Sequence, residues 1–359
     1  MISDLNQEPV FPARRESPLR IVAIGGGNGL SSLLHGLKAY ARSSGEAGGD
    51  CGAAGTRVDI TAIVTVTDDG GSSGRLRRDF KVLPPGDIRN CMVALSEDEA
   101  LLSRLFQYRF ANGRGLKGHS FGNLFLTALT DITGDFAQAV KVSSEVLAIA
   151  GRIYPSTSSN VVLKAELENG AVVSGETRIS RSQSRIRRIS LEPESCLPME
   201  ETLAAIGEAD LITLGPGSLY TSVVPNLLVD GISQAIADSP AVKANFVNLM
   251  WQPGETMHFT AADHVLAILE HARLPILDYA VVNNRSISEG MRRKYESEQV
   301  QPVQVDLDRL TGLGITLVGR DLLQEGEKVR HSPEAIAAVA LELAWEGRRR
   351  RRQKNVMTA

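Results

Sequence analysis

The stretch LRIVAIGGGNGLSSLLHGL, residues 19–37, decides how the rest of the chain is read. Leu19 to Ile24 is a short apolar run of strand length, cut off by Gly25-Gly26-Gly27-Asn28-Gly29. Leu30, Leu33, Leu34 and Leu37 then recur at helical spacing. Strand, glycine-rich turn and helix in that order bring backbone N–H groups and the positive end of a helix to one point, which suits a phosphate. Neither common phosphate loop is present. Counted from Gly25 and Gly27, the third glycine of Gly-x-Gly-x-x-Gly falls at Leu30, and no Gly-Lys-Ser/Thr follows.

The same pattern repeats outward along the chain. Val58 to Val66 reads as a strand and ends in Thr67-Asp68-Asp69-Gly70-Gly71-Ser72-Ser73-Gly74-Arg75. Leu211 to Leu214 ends in Gly215-Pro216-Gly217-Ser218, Ala244 to Leu249 ends in Trp251-Gln252-Pro253-Gly254-Glu255, and Tyr279 to Val282 ends in Asn283-Asn284. Between them, Glu97–Phe110, the run after His119 to about Leu129, Phe136–Ile149 and Ala261–His271 read as helices. Ser332 caps a closing helix to Trp345, with Pro333 in its first position, and Asp87 reads as another cap. Residues 159–192 change character: Glu168-Asn169-Gly170 joins two β-branched runs, which predicts a small antiparallel β insertion.

This alternation predicts an α/β, Rossmann-like fold, with a mostly parallel sheet and helices on both faces. One domain is expected over residues 19–347, preceded by a flexible arm, 1–18, and interrupted by a Gly/Ala/Ser-rich insertion, 42–57. Residues 348–359 open with five arginines and read as a solvated, disordered tail. In such a sheet ligands bind past the C-terminal strand ends, where the polar loops fall.

Composition narrows the function. The chain has 359 residues and a formal net charge of −3, so no whole-protein basic field for nucleic acid exists. Aromatics are 5%, few for a base-stacking platform. No apolar run of membrane-spanning length occurs, and the first residues lack the apolar core of a secretory signal, so a cytoplasmic location is expected. Three cysteines, Cys51, Cys91 and Cys196, give neither a disulfide framework nor a paired-thiolate zinc spacing. His258, His264 and His271 have no recognised metal-ligand spacing.

The loops supply the candidate chemistry. Gly25, Gly26, Gly27 and Asn28 are candidates for phosphate contact. Asp68 and Asp69 could hold a ribose hydroxyl or a Mg²⁺ ion, with Thr67, Ser72 and Ser73 in the same loop. His119 could act as an acid, a base or a phosphate donor, beside Ser120 and Asn123. Gly215, Gly217 and Ser218 repeat the strand–glycine–helix arrangement, with Ser218 as cap or anion contact. Gln252, Glu255 and Thr256 occupy a comparable place.

Six segments in this order resemble a known family: IVAIGGGNGLSSLLHGL, TAIVTVTDDGGSSGRLR, LPPGDIRNCMVAL, HSFGNLFL, LGPGSLYTSVVPNLLV and MWQPGETMHFTAADHV. They resemble the gluconeogenesis-factor (YvcK-like) family, within the 2-phospho-L-lactate transferase (CofD-like) superfamily. The resemblance implies a Rossmann-like fold and a site for a UDP-sugar, UDP-N-acetylglucosamine in particular. It also implies a role in cell shape and wall synthesis during gluconeogenic growth, no firm catalytic reaction, and a homodimer. In the transferases, aspartates matching Asp68 and Asp69 lie near metal and acceptor, so a Mg²⁺-dependent phospho- or nucleotidyl-transferase is the alternative. Tyr295, in RRKYESE, and Arg330, in VRHSP, match positions linked to the UDP-sugar. An NAD-dependent oxidoreductase and a nucleic-acid module through the arginine tail are weaker readings.

Overall fold

The computed structural model describes residues 17–41, 57–96 and 101–357. Most of the predicted arm and glycine-rich insertion lie outside them, as do the first four residues of the helix expected from Glu97.

A seven-stranded sheet forms the centre. Its strands are β1 (Leu19–Gly25), β2 (Val58–Val64), β3 (Arg152–Pro155), β7 (Leu211–Leu214), β8 (Val242–Phe246), β9 (Tyr279–Asn283) and β10 (Thr316–Arg320). Every pairing in it is parallel, in the order β10-β9-β8-β7-β1-β2-β3. β1 is buried at six of its seven positions and β7 at all four, as central strands covered on both faces require. The chain runs from β1 outward to β3, returns to β7 on the other side of β1, and runs outward again. The strand order therefore reverses between β1 and β7, and a crevice opens past their ends. The loops at that crevice are Gly25–Gly29 and Gly215–Ser218.

The residues 162–192 form the predicted insertion: β4 (Val162–Leu167), β5 (Val172–Ser174) and β6 (Ile186–Glu192), paired antiparallel. A hairpin, β11 (Leu323–Glu325) and β12 (Val329–His331), follows β10. Met250, Ile287, Val300 and Leu323 form a small core of their own beside the main one, with Trp251 and Tyr295 packed on it. This satellite core carries one wall of the crevice.

Two local expectations are corrected. The helix predicted from Glu97 to Phe110 is helical only over Leu102–Gln107 among the described residues, and Arg109 and Ser120 form an isolated bridge beyond it. The arginine tail is not disordered: the closing helix runs Pro333–Met357 and includes all five arginines. Arginine is a good helix former, and here it also finds partners. Arg350 pairs with Glu346 one turn back at 2.5 Å, Arg348 pairs at 2.5 Å with Asp210 just before the central strand β7, and Arg351 bonds the Ala209 carbonyl. The cap of this helix is as read, with the Ala335 N–H donating to Ser332 Oγ. No described helix is long and apolar enough to cross a membrane.

Candidate functional site

A cleft of about 580 Å³ opens at the crevice. Its floor is Gly26, Gly27, Asn28 and Gly29 at the start of the helix Gly27–Ala41. Pro216, Gly217 and Ser218 close one side, and Gln252 and Glu255 lie behind them. Lys294 and Tyr295, on the helix Glu289–Ser297, and Lys328 and Arg330, from β12 and its turn, close the other. Gly27 sits at φ +61°, a left-handed conformation that favours glycine. Gly29 is required for a different reason. A Cβ there would lie 2.5 Å from the Pro216 carbonyl oxygen, so the two glycine loops touch through it.

Gly29→Ala must push these loops apart. We expect a loss of about 1–3 kcal/mol, read as a lower thermal midpoint together with weaker ligand binding. Unchanged values of both would show that the contact does not shape the cleft.

Each loop end has its own electrostatics. Glu255 is buried, and its carboxylate accepts from the Tyr220 N–H at 3.2 Å and the Thr221 hydroxyl at 3.1 Å. An internal carboxylate thus already occupies the helical turn after Gly215–Ser218. Ser218 does not cap that turn; its Oγ accepts from Gln252 Nε2 at 3.0 Å. The first helix differs, because its opening residues face the cleft. Among the described residues, the cations Lys294, Lys328 and Arg330 line the same space. Tyr295 is anchored: its phenolic oxygen accepts from the Val329 N–H at 3.0 Å, which fixes the ring against β12. Trp251 is held by its own N–H on the Phe259 carbonyl at 2.9 Å, giving the cleft a second aromatic surface.

The other predicted residues lie outside the cleft lining, and most form a buried polar network beside it. Gly25 and Gly215 end β1 and follow β7 behind the two loops, their nearest approach 3.8 Å from a Cβ built on Gly25. Thr67 donates to the Thr221 carbonyl at 3.4 Å. Asp68 accepts from the Gly70 N–H at 2.8 Å and from Ser73. Asn123 reaches Ser73 at 3.4 Å, and Ser72 bonds His119 Nδ1 at 2.9 Å. Ser120 caps the helix Phe121–Thr133 and accepts from Arg89 at 2.7 Å. Burial, then the charge of Arg75, lowers the His119 pKa, which favours its neutral form.

Asp68 and Asp69 face different partners. Asp69 Oδ1 accepts from both the N–H and the hydroxyl of Thr177 in the β insertion, at 2.9 and 2.6 Å. No set of three or more His, Cys, Asp or Glu side chains among the described residues is arranged to hold a metal ion. Asp68 and Asp69, the residues that the transferase resemblance places near Mg²⁺, are each already bonded to donors of the protein. Asp87, expected as a helix cap, caps nothing: the helix Gly86–Leu95 begins before it. Its carboxyl instead accepts from the Gly27 backbone, beneath the first glycine loop. Burial, then the charge of Asp68, pushes its pKa up to about 7. Burial also raises Asp68 and Glu255, and pushes Glu176 up to about 9.

Sequence reading missed Lys294, Lys328 and Glu176 as parts of this region, and took Asp87 only as a cap and Trp251 only as the start of a strand-end loop. Lys294 had a signal, since it adjoins Tyr295, whereas the burial of Asp87 and Glu176 depends on loops packing from distant segments.

Comparison with known proteins agrees with this arrangement. The family model "2-phospho-L-lactate transferase CofD" matches residues 21–323. The chain is 46% identical to the gluconeogenesis factor of Bacillus subtilis (strain 168) over 328 residues, covering 91% of this chain and 98% of that protein. It is 47% identical to a putative gluconeogenesis factor of Aquifex aeolicus (strain VF5) over 329 residues, covering 90% and 96%. A crystal structure of a Bacillus halodurans protein has a TM-score of 0.84 at 44% identity, covering 90% of this chain and 100% of that one. Sheet order, glycine loops and matched length lead to one assignment: the chain belongs to the CofD family, in its gluconeogenesis-factor (YvcK-like) branch.

Proposed function

We propose that the cleft binds a nucleoside-diphosphate sugar, UDP-N-acetylglucosamine, without turning it over, and that the protein acts as a regulatory factor for cell shape and wall synthesis during gluconeogenic growth. The observation that carries the binding reading is the meeting of the first helix's N-terminus with Lys294, Lys328 and Arg330 around one cleft. Three cations against Glu298 leave this wall a net positive charge, which a diphosphate matches. Tyr295 and Trp251 offer faces on which a base can stack. The physiological role is inferred from the family branch.

Arg330→Ala is expected to weaken UDP-N-acetylglucosamine about 10- to 100-fold, the scale of one or two charge-assisted hydrogen bonds. Its thermal midpoint should stay put, because the guanidinium has no hydrogen-bond or ion-pair partner among the described residues. Calorimetric titration of both proteins checks this, and equal affinities would remove Arg330 from the site. Phosphorus NMR of the ligand after long incubation, with and without Mg²⁺, should show it intact. Release of a nucleotide would move the protein to the transferase class.

A further inference from the structure

A second cavity, also about 580 Å³, runs along the first helix from Asn28 to Lys38. It shares Asn28, Ser32 and Arg330 with the cleft, but Arg89 and Arg109 line it alone. Among the described residues no carboxylate lines it. Arg89 makes only neutral contacts there: Nη1 donates to Ser120 Oγ at 2.7 Å and Nη2 to Asn90 Oδ1 at 2.6 Å. Its Nε is buried without a hydrogen-bond partner. Arg109 donates to the Gly118 carbonyl at 2.6 Å, and its remaining N–H groups have no partner among the described residues. Burial, then the charge of Arg109, pulls the Arg89 pKa down against the opposing charges of Asp68 and Asp87, which places the two cations within each other's field. Arg89 is half-buried and Arg109 and Arg330 are exposed at the cavity's mouth, and none of the three forms an ion pair among the described residues.

We propose that this cavity is a second ligand site, adjoining the nucleotide-sugar cleft, that takes a small oxyanion metabolite, a phosphate ester or a polycarboxylate, between Arg89 and Arg109. The volume falls in the range of small-ligand pockets. Guanidinium forks match both oxyanions in geometry, so the structure fixes the shared chemistry and experiment must separate the two sources. Arg109 is exposed, which makes it the residue to change without disturbing the fold.

The test is calorimetric titration of the full chain with sodium phosphate and, separately, sodium citrate, at ionic strength held constant with chloride. One of the two should bind saturably, and the better binder identifies the source. Arg109→Gln should weaken that binding at least tenfold, Arg109→Lys should restore part of it, and UDP-N-acetylglucosamine affinity should stay unchanged in both. Three results would overturn the proposal: no saturable binding of either anion, binding indifferent to Arg109→Gln, or an equal loss of nucleotide-sugar affinity in Arg109→Gln, which would make the cavity part of the first site. If the wild-type chain binds no UDP-sugar but keeps Arg109-dependent anion binding, the cleft reading fails and this one stands.

Discussion

Arg348→Met is expected to cost about 3–5 kcal/mol of folding stability. The Arg348 and Asp210 side chains are 8% and 1% exposed, and Arg348 Nη2 lies 2.5 Å from Asp210 Oδ2. The same carboxylate oxygen accepts from the Arg20 N–H at the start of β1, at 2.9 Å. Arg348 also donates to the carbonyls of Ser17 and Pro18, at 3.0 and 2.5 Å, tying the chain's entry into β1 to the closing helix. Methionine fills much of the space but leaves the buried Asp210 charge with only Arg351, whose Nε lies 3.9 Å from Oδ1. The penalty should show as a lower urea midpoint with an unchanged slope. Asp210→Asn combined with Arg348→Met should recover part of it, since the stranded charge is then gone. A loss under about 1 kcal/mol would place this pair among ordinary surface ion pairs.

Glu176→Gln should make the protein less sensitive to alkaline pH. Glu176 Oε2 is buried without a hydrogen-bond partner, and Asp68, Asp87, Glu255 and Asp69 all add to the repulsion against its ionised form. Its folded pKa, about 9, stands above the ordinary glutamate value of 4.5, so the folded state holds a proton that the unfolded chain has released. The sign follows from linkage. Its contribution is fully present below pH 4.5 and falls between pH 4.5 and about 9, by up to about 1.4 kcal/mol per pH unit. Glutamine has the same shape and no such slope. The midpoint difference between variant and wild type should therefore widen from pH 5 to pH 9 and then level off. Parallel profiles would mean that Glu176 is ionised throughout. Asp87, pushed up to about 7, adds a second loss of the same sign that ends earlier.

The parts of this molecule that could be read in the sequence are those written in local pattern. The apolar run Leu19–Ile24 followed by glycines announced a central strand and its loop, and β1 ends at Gly25. Leu211 to Leu214 announced β7 residue for residue. Glu168-Asn169-Gly170 announced the hairpin that joins β4 and β5. The division of loop residues between an open cleft and a buried network was not legible. Asp68, Ser73 and Asn123 carry the same residue types as a ligand site, and only the packing of three segments shows them bonded to one another. Nor was the filled helix end after Ser218 visible, because Glu255 arrives there from 35 positions along the chain. The arginine run misled for a related reason. Charge density alone predicts solvation, whereas the partners that make it helical, Asp210 and Ala209, are about 140 residues away.

The central claim is that the crevice between β1 and β7 is a nucleotide-sugar site. Calorimetric titration of the full chain with UDP-N-acetylglucosamine, with GDP and NAD as competitors, tests it most directly. The account predicts saturable binding in the micromolar range, about −8 kcal/mol, without a requirement for Mg²⁺ and with GDP and NAD the weaker ligands. No heat with the UDP-sugar, together with tight Mg²⁺-dependent binding of GDP, would contradict it.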